Sequence, residues 1–136
     1  MRPTLFAVDD DRKALATLDD ALCRRYGADY DVVTETSALA ALAQLSLFSE
    51  RGQDVALIVA DFRMPEMTGI DFLSQLHDLH PDAKRVLIID VGDIEAQPPI
   101  TRALTLNQID FYVGKPWSSP EAVSYTHLRA HETGRN

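Results

Sequence analysis

The chain has 136 residues, enough for one domain with a single buried core and too short for a comfortable pair. Its hydrophobic fraction of 46% and charged fraction of 25% match soluble globular domains and exclude a disordered or collagen-like chain. A net charge of -8 argues against unassisted binding to nucleic acid or anionic lipid, and no apolar run approaches the ~20 residues needed to span a bilayer.

The start, Met1-Arg2-Pro3, leads straight into a strand-like run without a signal-peptide core, so a cytoplasmic location is the default expectation. Leu5-Phe6-Ala7-Val8 is that run. It ends abruptly in Asp9-Asp10-Asp11, as a parallel strand buried on both faces does. Leu15, Leu18, Leu22 and Tyr26 then recur at helical spacing, with Gly27 as a natural stop. The lone cysteine, Cys23, lies in this helix; it has no partner for an internal disulfide and is expected to be a buried structural thiol.

Residues 30–33 make a second short strand. Ser37 caps a helix carrying Leu39, Leu42 and Leu45, which closes before Gly52. Val55-Ala56-Leu57-Ile58-Val59-Ala60 is the clearest buried strand and also ends at an aspartate, Asp61. Phe72, Leu73, Leu76 and Leu79 mark a third helix, and Val86-Leu87-Ile88-Ile89 a fourth strand. A weaker helix follows over 101–106, its start expected to be delayed by Pro98 and Pro99. Phe111-Tyr112-Val113 is the last strand before Lys115-Pro116. Five such alternations predict an α/β fold, a parallel sheet with helices on both faces.

Open sheets of this kind bind ligands outside the carboxyl ends of their strands, and Asp9, Asp10, Asp61 and Lys115 all fall there. Three carboxylates brought together would repel one another, which a divalent cation would relieve. Hard oxygen donors favour Mg²⁺, and no Cys/His cluster suggests zinc. The ammonium of Lys115 could pair with a carboxylate or with the oxygens of a transferred phosphoryl group.

Taken together, Val8-Asp9-Asp10-Asp11, Asp61-Phe62-Arg63-Met64-Pro65-Glu66-Met67-Thr68-Gly69 and Lys115-Pro116-Trp117 resemble the response-regulator receivers of two-component signalling. The resemblance covers roughly residues 4–120. It implies a flavodoxin-like doubly wound sheet of strand order 2-1-3-4-5. It further implies Asp61 as phosphoacceptor, Asp10 as a direct Mg²⁺ ligand, Asp9 as a ligand through water, the Arg63 carbonyl as another ligand, and Lys115 as the phosphoryl contact. The partner implied is a histidine kinase or phosphotransfer protein. Pro65 and Gly69 are expected to shape the loop after Asp61.

The domain is expected to span 1–122. The stretch 123–136 has no apolar face and resembles an in-frame translation of a sequencing adapter. It is read as a scar, with the native fifth helix missing or replaced and an output domain lost by truncation.

Receivers usually carry Ser or Thr at the end of the fourth strand; the candidates here are Ile89 and Asp90, and neither supplies a hydroxyl. Tyr112 matches the family's mobile aromatic, a candidate switch residue, and fits equally a partly exposed strand aromatic. Three readings follow: a phosphorylation-competent receiver, a phosphate-independent pseudo-receiver for protein docking, and a phosphohydrolase of the haloacid-dehalogenase type built on Asp9 and Asp11. The last wants Thr or Val two residues after its second aspartate, where this chain has Lys13.

Overall fold

In the computed structural model, which describes residues 2–115, the apolar runs become strands β1 (Thr4–Val8), β2 (Asp31–Glu35), β3 (Val55–Asp61), β4 (Lys84–Asp90) and β5 (Phe111–Lys115). All pair in parallel, in the order β2-β1-β3-β4-β5, the flavodoxin-like order expected. Parallel strands need crossovers, and helices α1 (Arg12–Tyr26), α2 (Ala38–Glu50), α3 (Gly69–Ser74) and α4 (Gln97–Thr105) supply them. The tail 123–136, Pro116, Trp117 and the expectation that the fifth helix is missing or replaced fall outside the described residues.

Alternation along the central strands splits the core in two. Phe6, Ile58, Ala60, Leu87 and Ile89 pack with α2, α3 and α4. Leu5, Ala7, Leu57, Val59, Val86 and Ile88 pack with Leu15, Leu18 and Leu22 of α1. With both faces covered, β3 is buried along its whole length, so its sequence reads as a continuous apolar run.

Four expectations need correction. Cys23 is exposed: Leu15, Leu18 and Leu22 define the inner face of α1, and the next residue turns away toward Asp19, whose Oδ1 accepts from Sγ at 3.3 Å. Leu39 is also outward, because α2 buries Ala38, Ala41 and Leu45 instead, with Leu42 and Phe48 partly covered. Helix α3 ends at Ser74 rather than running to Leu79. Ser74 Oγ and Gln75 Nε2 both donate to the Asp71 carbonyl, and Leu76 N bonds Leu73 O, so the chain tightens into turns. Finally, Pro98 and Pro99 do not delay α4, which begins at Gln97; they occupy its first turn, where no N–H is needed, after a 3₁₀ turn at Ile94–Ala96.

The approach to β5 depends on a buried arginine. Arg85 of β4 donates to the carbonyls of Asn107 (2.9 Å) and Gln108 (3.0 Å) and pairs with Asp110 at 3.4 Å. Asn107 holds a left-handed φ of 59° in this turn. Arg85→Leu strands two carbonyls and takes the cation from Asp110, which keeps only the main-chain N–H of residue 85, and is expected to lower stability by roughly 2–4 kcal/mol, measured by urea unfolding.

Candidate functional site

Three strand ends converge. Asp9 follows β1, Asp61 is the last residue of β3 and Lys115 the last of β5. Lys115 Nζ lies 2.9 Å from Asp61 Oδ1 and 3.3 Å from Asp9 Oδ2, so one ammonium bridges two buried carboxylates. Asp10 is exposed, yet one carboxylate oxygen from each of Asp9, Asp10 and Asp61 lies within 4.8 Å of the others.

The local chain explains how each is held. Asp9 Oδ1 accepts from the Asp11 N–H at 2.9 Å, and its own N–H reaches the Glu35 carbonyl of β2. Asp11 turns away from the cluster and caps α1, its Oδ1 accepting from Lys13 N and Ala14 N. Its capping place leaves an Asp-x-Asp pair of Asp9 and Asp11 without a common target.

Beyond Asp61, Phe62 N donates to the Ile88 carbonyl at 2.8 Å and Gly69 N to the Phe62 carbonyl at 2.9 Å. A Cβ at Gly69 would stand 2.4 Å from the Asp61 carbonyl oxygen and 2.6 Å from Leu87 Cδ1, so glycine is what lets α3 start against the end of β3.

The electrostatics follow from counting charges. Like charges about 4 Å apart repel by roughly 1 kcal/mol in water and roughly 4 at a partly buried site. Burial pushes the Asp61 carboxyl up to about 6; the Lys115 hydrogen bond opposes this, and the charges of Asp9 and Asp90 add to it. Burial also raises Asp9 against the pull of the Asp11 N–H and Lys115. Burial alone would lower the Lys115 ammonium, but the hydrogen bond to Asp61 and the charges of Asp61 and Asp9 outweigh it and leave it raised. One cation is insufficient for this many carboxylates. Clustered hard oxygen donors fit a divalent cation such as Mg²⁺.

Arg63 lies two residues beyond Asp61 with an exposed side chain, and Tyr112 is 43% exposed on β5. Ile89 and Asp90 part company. Ile89 is buried in the core beneath α3 and α4, opposite Gly114, whereas Asp90 is exposed and pairs in register with Lys115. Asp90 therefore occupies the site end of β4.

Sequence reasoning missed three contacts. Glu66 accepts from Ser37 Oγ (3.0 Å) and Leu39 N (3.3 Å), tying the loop after β3 to the start of α2. Arg63 grips Asp93 with two hydrogen bonds. Lys115 bridges two acids where sequence allowed only one partner at a time. Pairs separated by about 30 residues or more leave no periodic signal, so only the fold reveals them.

Residues 5–126 match the family described as the response regulator receiver domain. The chain is 32% identical over 114 residues to the hydrogenase transcriptional regulatory protein HoxA of Cupriavidus necator, covering 84% of this chain and 21% of that protein. It is 30% identical over 133 residues to the C4-dicarboxylate transport transcriptional regulatory protein DctD of Rhizobium meliloti, covering 98% of this chain and 26% of that protein. It thus spans about a quarter or less of these relatives' lengths. An uncharacterised protein from Neptuniibacter caesariensis superposes with a TM-score of 0.79 at 32% identity, covering 98% of this chain and 92% of that one. No helix among the described residues is long and apolar enough to cross a membrane.

The raised Asp61 carboxyl makes a signed prediction. Folded Asp61 holds its proton more tightly than the unfolded chain, so metal-free stability falls as pH rises from 3.8 through about 6. Asp61→Asn lacks this penalty. Its stability advantage over the native chain in EDTA is expected to grow by on the order of 1 kcal/mol between about pH 5 and about pH 7, read from thermal unfolding.

Proposed function

This chain belongs to the response regulator receiver domain family, and from that premise we propose that it accepts a phosphoryl group on Asp61 from a histidine kinase or phosphotransfer protein. Receivers of this family are phosphoacceptor signalling domains rather than turnover enzymes. The observation that carries the reading is the cluster of Asp9, Asp10 and Asp61, two of which, Asp9 and Asp61, share the ammonium of Lys115.

Asp61 suits a nucleophile: it ends a buried strand at the carboxyl edge of the sheet, and one of its oxygens is held by Lys115. Its carboxylate attacks phosphorus in line, forming the O–P bond as the P–N bond to the donor imidazole breaks. The imidazole leaves with the electron pair and takes a proton from solvent. Lys115 stands where it neutralises charge on the transferred oxygens. Asp9, Asp10, Asp61 and the Arg63 carbonyl would hold Mg²⁺, which supplies the remaining positive charge. The ionised form of Asp61 is the reactive one, and compensating positive charge lowers the carboxyl from its raised value.

The relatives' names support reading these residues as the receiving part of a longer transcriptional regulator. A second reading, a pseudo-receiver that docks partners without phosphate, is favoured by Asp90. Neither Ile89, buried in the core, nor Asp90, paired in register with Lys115, offers the family's hydroxyl to a phosphoryl group, and the Asp90 carboxylate would repel a dianion at Asp61.

Intact-mass measurement after incubation with acetyl phosphate and Mg²⁺ separates the two. The native chain is expected to gain one phosphoryl mass, lost with EDTA in the reaction and absent in Asp61→Asn. No gain in folded native chain would leave the pseudo-receiver as the better reading.

A further inference from the structure

A main-chain carbonyl has no rotamer of its own, so its aim is set by the loop that carries it. In the receiver reading the Arg63 carbonyl is a cation ligand, and the segment from Phe62 to Gly69 is that loop. Its ends are tied by Phe62 N to the Ile88 carbonyl and Gly69 N to the Phe62 carbonyl, and its middle by Glu66 to the start of α2. Arg63 itself is held by its side chain. Nε lies 2.9 Å from Asp93 Oδ2 and Nη2 3.0 Å from Asp93 Oδ1, while the guanidinium stands 5.0 Å from the centre of the Phe62 ring.

Asp93 is a firm anchor. Its N–H donates to the Asp90 carbonyl at 2.9 Å, its own carbonyl accepts from Ala96 N, and the neighbouring Val91 N donates to the Lys115 carbonyl at 2.8 Å. Its side chain is only 14% exposed although that of Arg63 is 55% exposed. Isolated surface ion pairs contribute little, but a fork-to-carboxylate pair fixes orientation as well as charge. Here it fixes the residue whose backbone oxygen faces the cation in the receiver reading.

We propose that Asp93 is a positioning residue for the cation site, acting through the side chain of Arg63 to hold the Arg63 carbonyl in place. The inference rests on the receiver reading. It makes a prediction opposite to simple charge. By Coulomb's law alone, Arg63 repels a nearby Mg²⁺, so neutralising it should tighten binding. If Arg63 positions a ligand, neutralising it weakens binding.

The test is calorimetric titration of the full chain with MgCl₂, with circular dichroism confirming the fold of every variant. Arg63→Gln, Asp93→Asn and Arg63→Lys, which keeps the charge and loses the fork, are each expected to raise the Mg²⁺ Kd by roughly three- to tenfold. The double variant Arg63→Gln/Asp93→Asn should be no weaker than the worse single, because both remove one contact. Glu95→Gln, 3.9 Å from Arg63 and 90% exposed, should change Kd less than either. Tighter or unchanged binding in Arg63→Gln, or additive losses in the double variant, overturns the proposal while leaving the receiver reading intact. A native chain that binds no Mg²⁺ overturns that reading and the proposal with it.

Discussion

The carboxyl edge of this sheet is organised by a charge imbalance: the carboxylates of Asp9, Asp10 and Asp61 cluster, and one ammonium, that of Lys115, pairs with two of them. The imbalance is a product of topology. Parallel strands all finish at the same edge, so residues ending β1, β3 and β5 meet although more than 100 residues separate the first from the last. Nothing in the two cores requires aspartates there. The apolar layers above and below would pack as well around neutral residues, and the site holds them at the expense of local stability, as functional sites commonly do.

The neighbouring elements supply what the site itself cannot. Arg85 fixes the turn before β5 by binding its carbonyls, which sets the level at which Lys115 emerges. Gly69 lets α3 begin against the Asp61 carbonyl. Glu66 and Arg63 each pull the loop after β3 toward a different neighbour, one to α2 and the other to the turn before α4. Each tie is modest, but together they hold a short loop from several directions, and that directional restraint is what a cation's ligands need.

Much of this was legible in the sequence, for identifiable reasons. Buried parallel strands read as unbroken apolar runs, so β1, β3 and β4 announced themselves, and their terminal aspartates marked the functional edge. The Ser37 cap was equally plain, since capping acts over three residues. Errors arose where a local pattern was outweighed by a specific contact. Cys23 and Leu39 sit one position off the buried stripe of their helices, where apolar character alone misleads. Ser74 and Gln75 end α3 by competing for a carbonyl, which hydrophobic spacing does not register. The Arg63–Asp93 grip was invisible because it joins two loops.

The departure at β4 has the largest mechanistic reach. A hydroxyl beside a phosphoacceptor attracts an incoming phosphoryl group by donating to it; neither Ile89, buried in the core, nor Asp90, paired in register with Lys115, carries one. The Asp90 charge already raises the Asp61 carboxyl. In the receiver reading, phosphate at Asp61 therefore presses on the end of β4 instead of drawing it in. The turn that follows β4 is the one that carries Asp93 and is pinned to Lys115 through Val91. Asp90, at the end of β4, and Asp93, which grips Arg63, therefore belong to one short segment, tied by the Asp93 N–H to the Asp90 carbonyl.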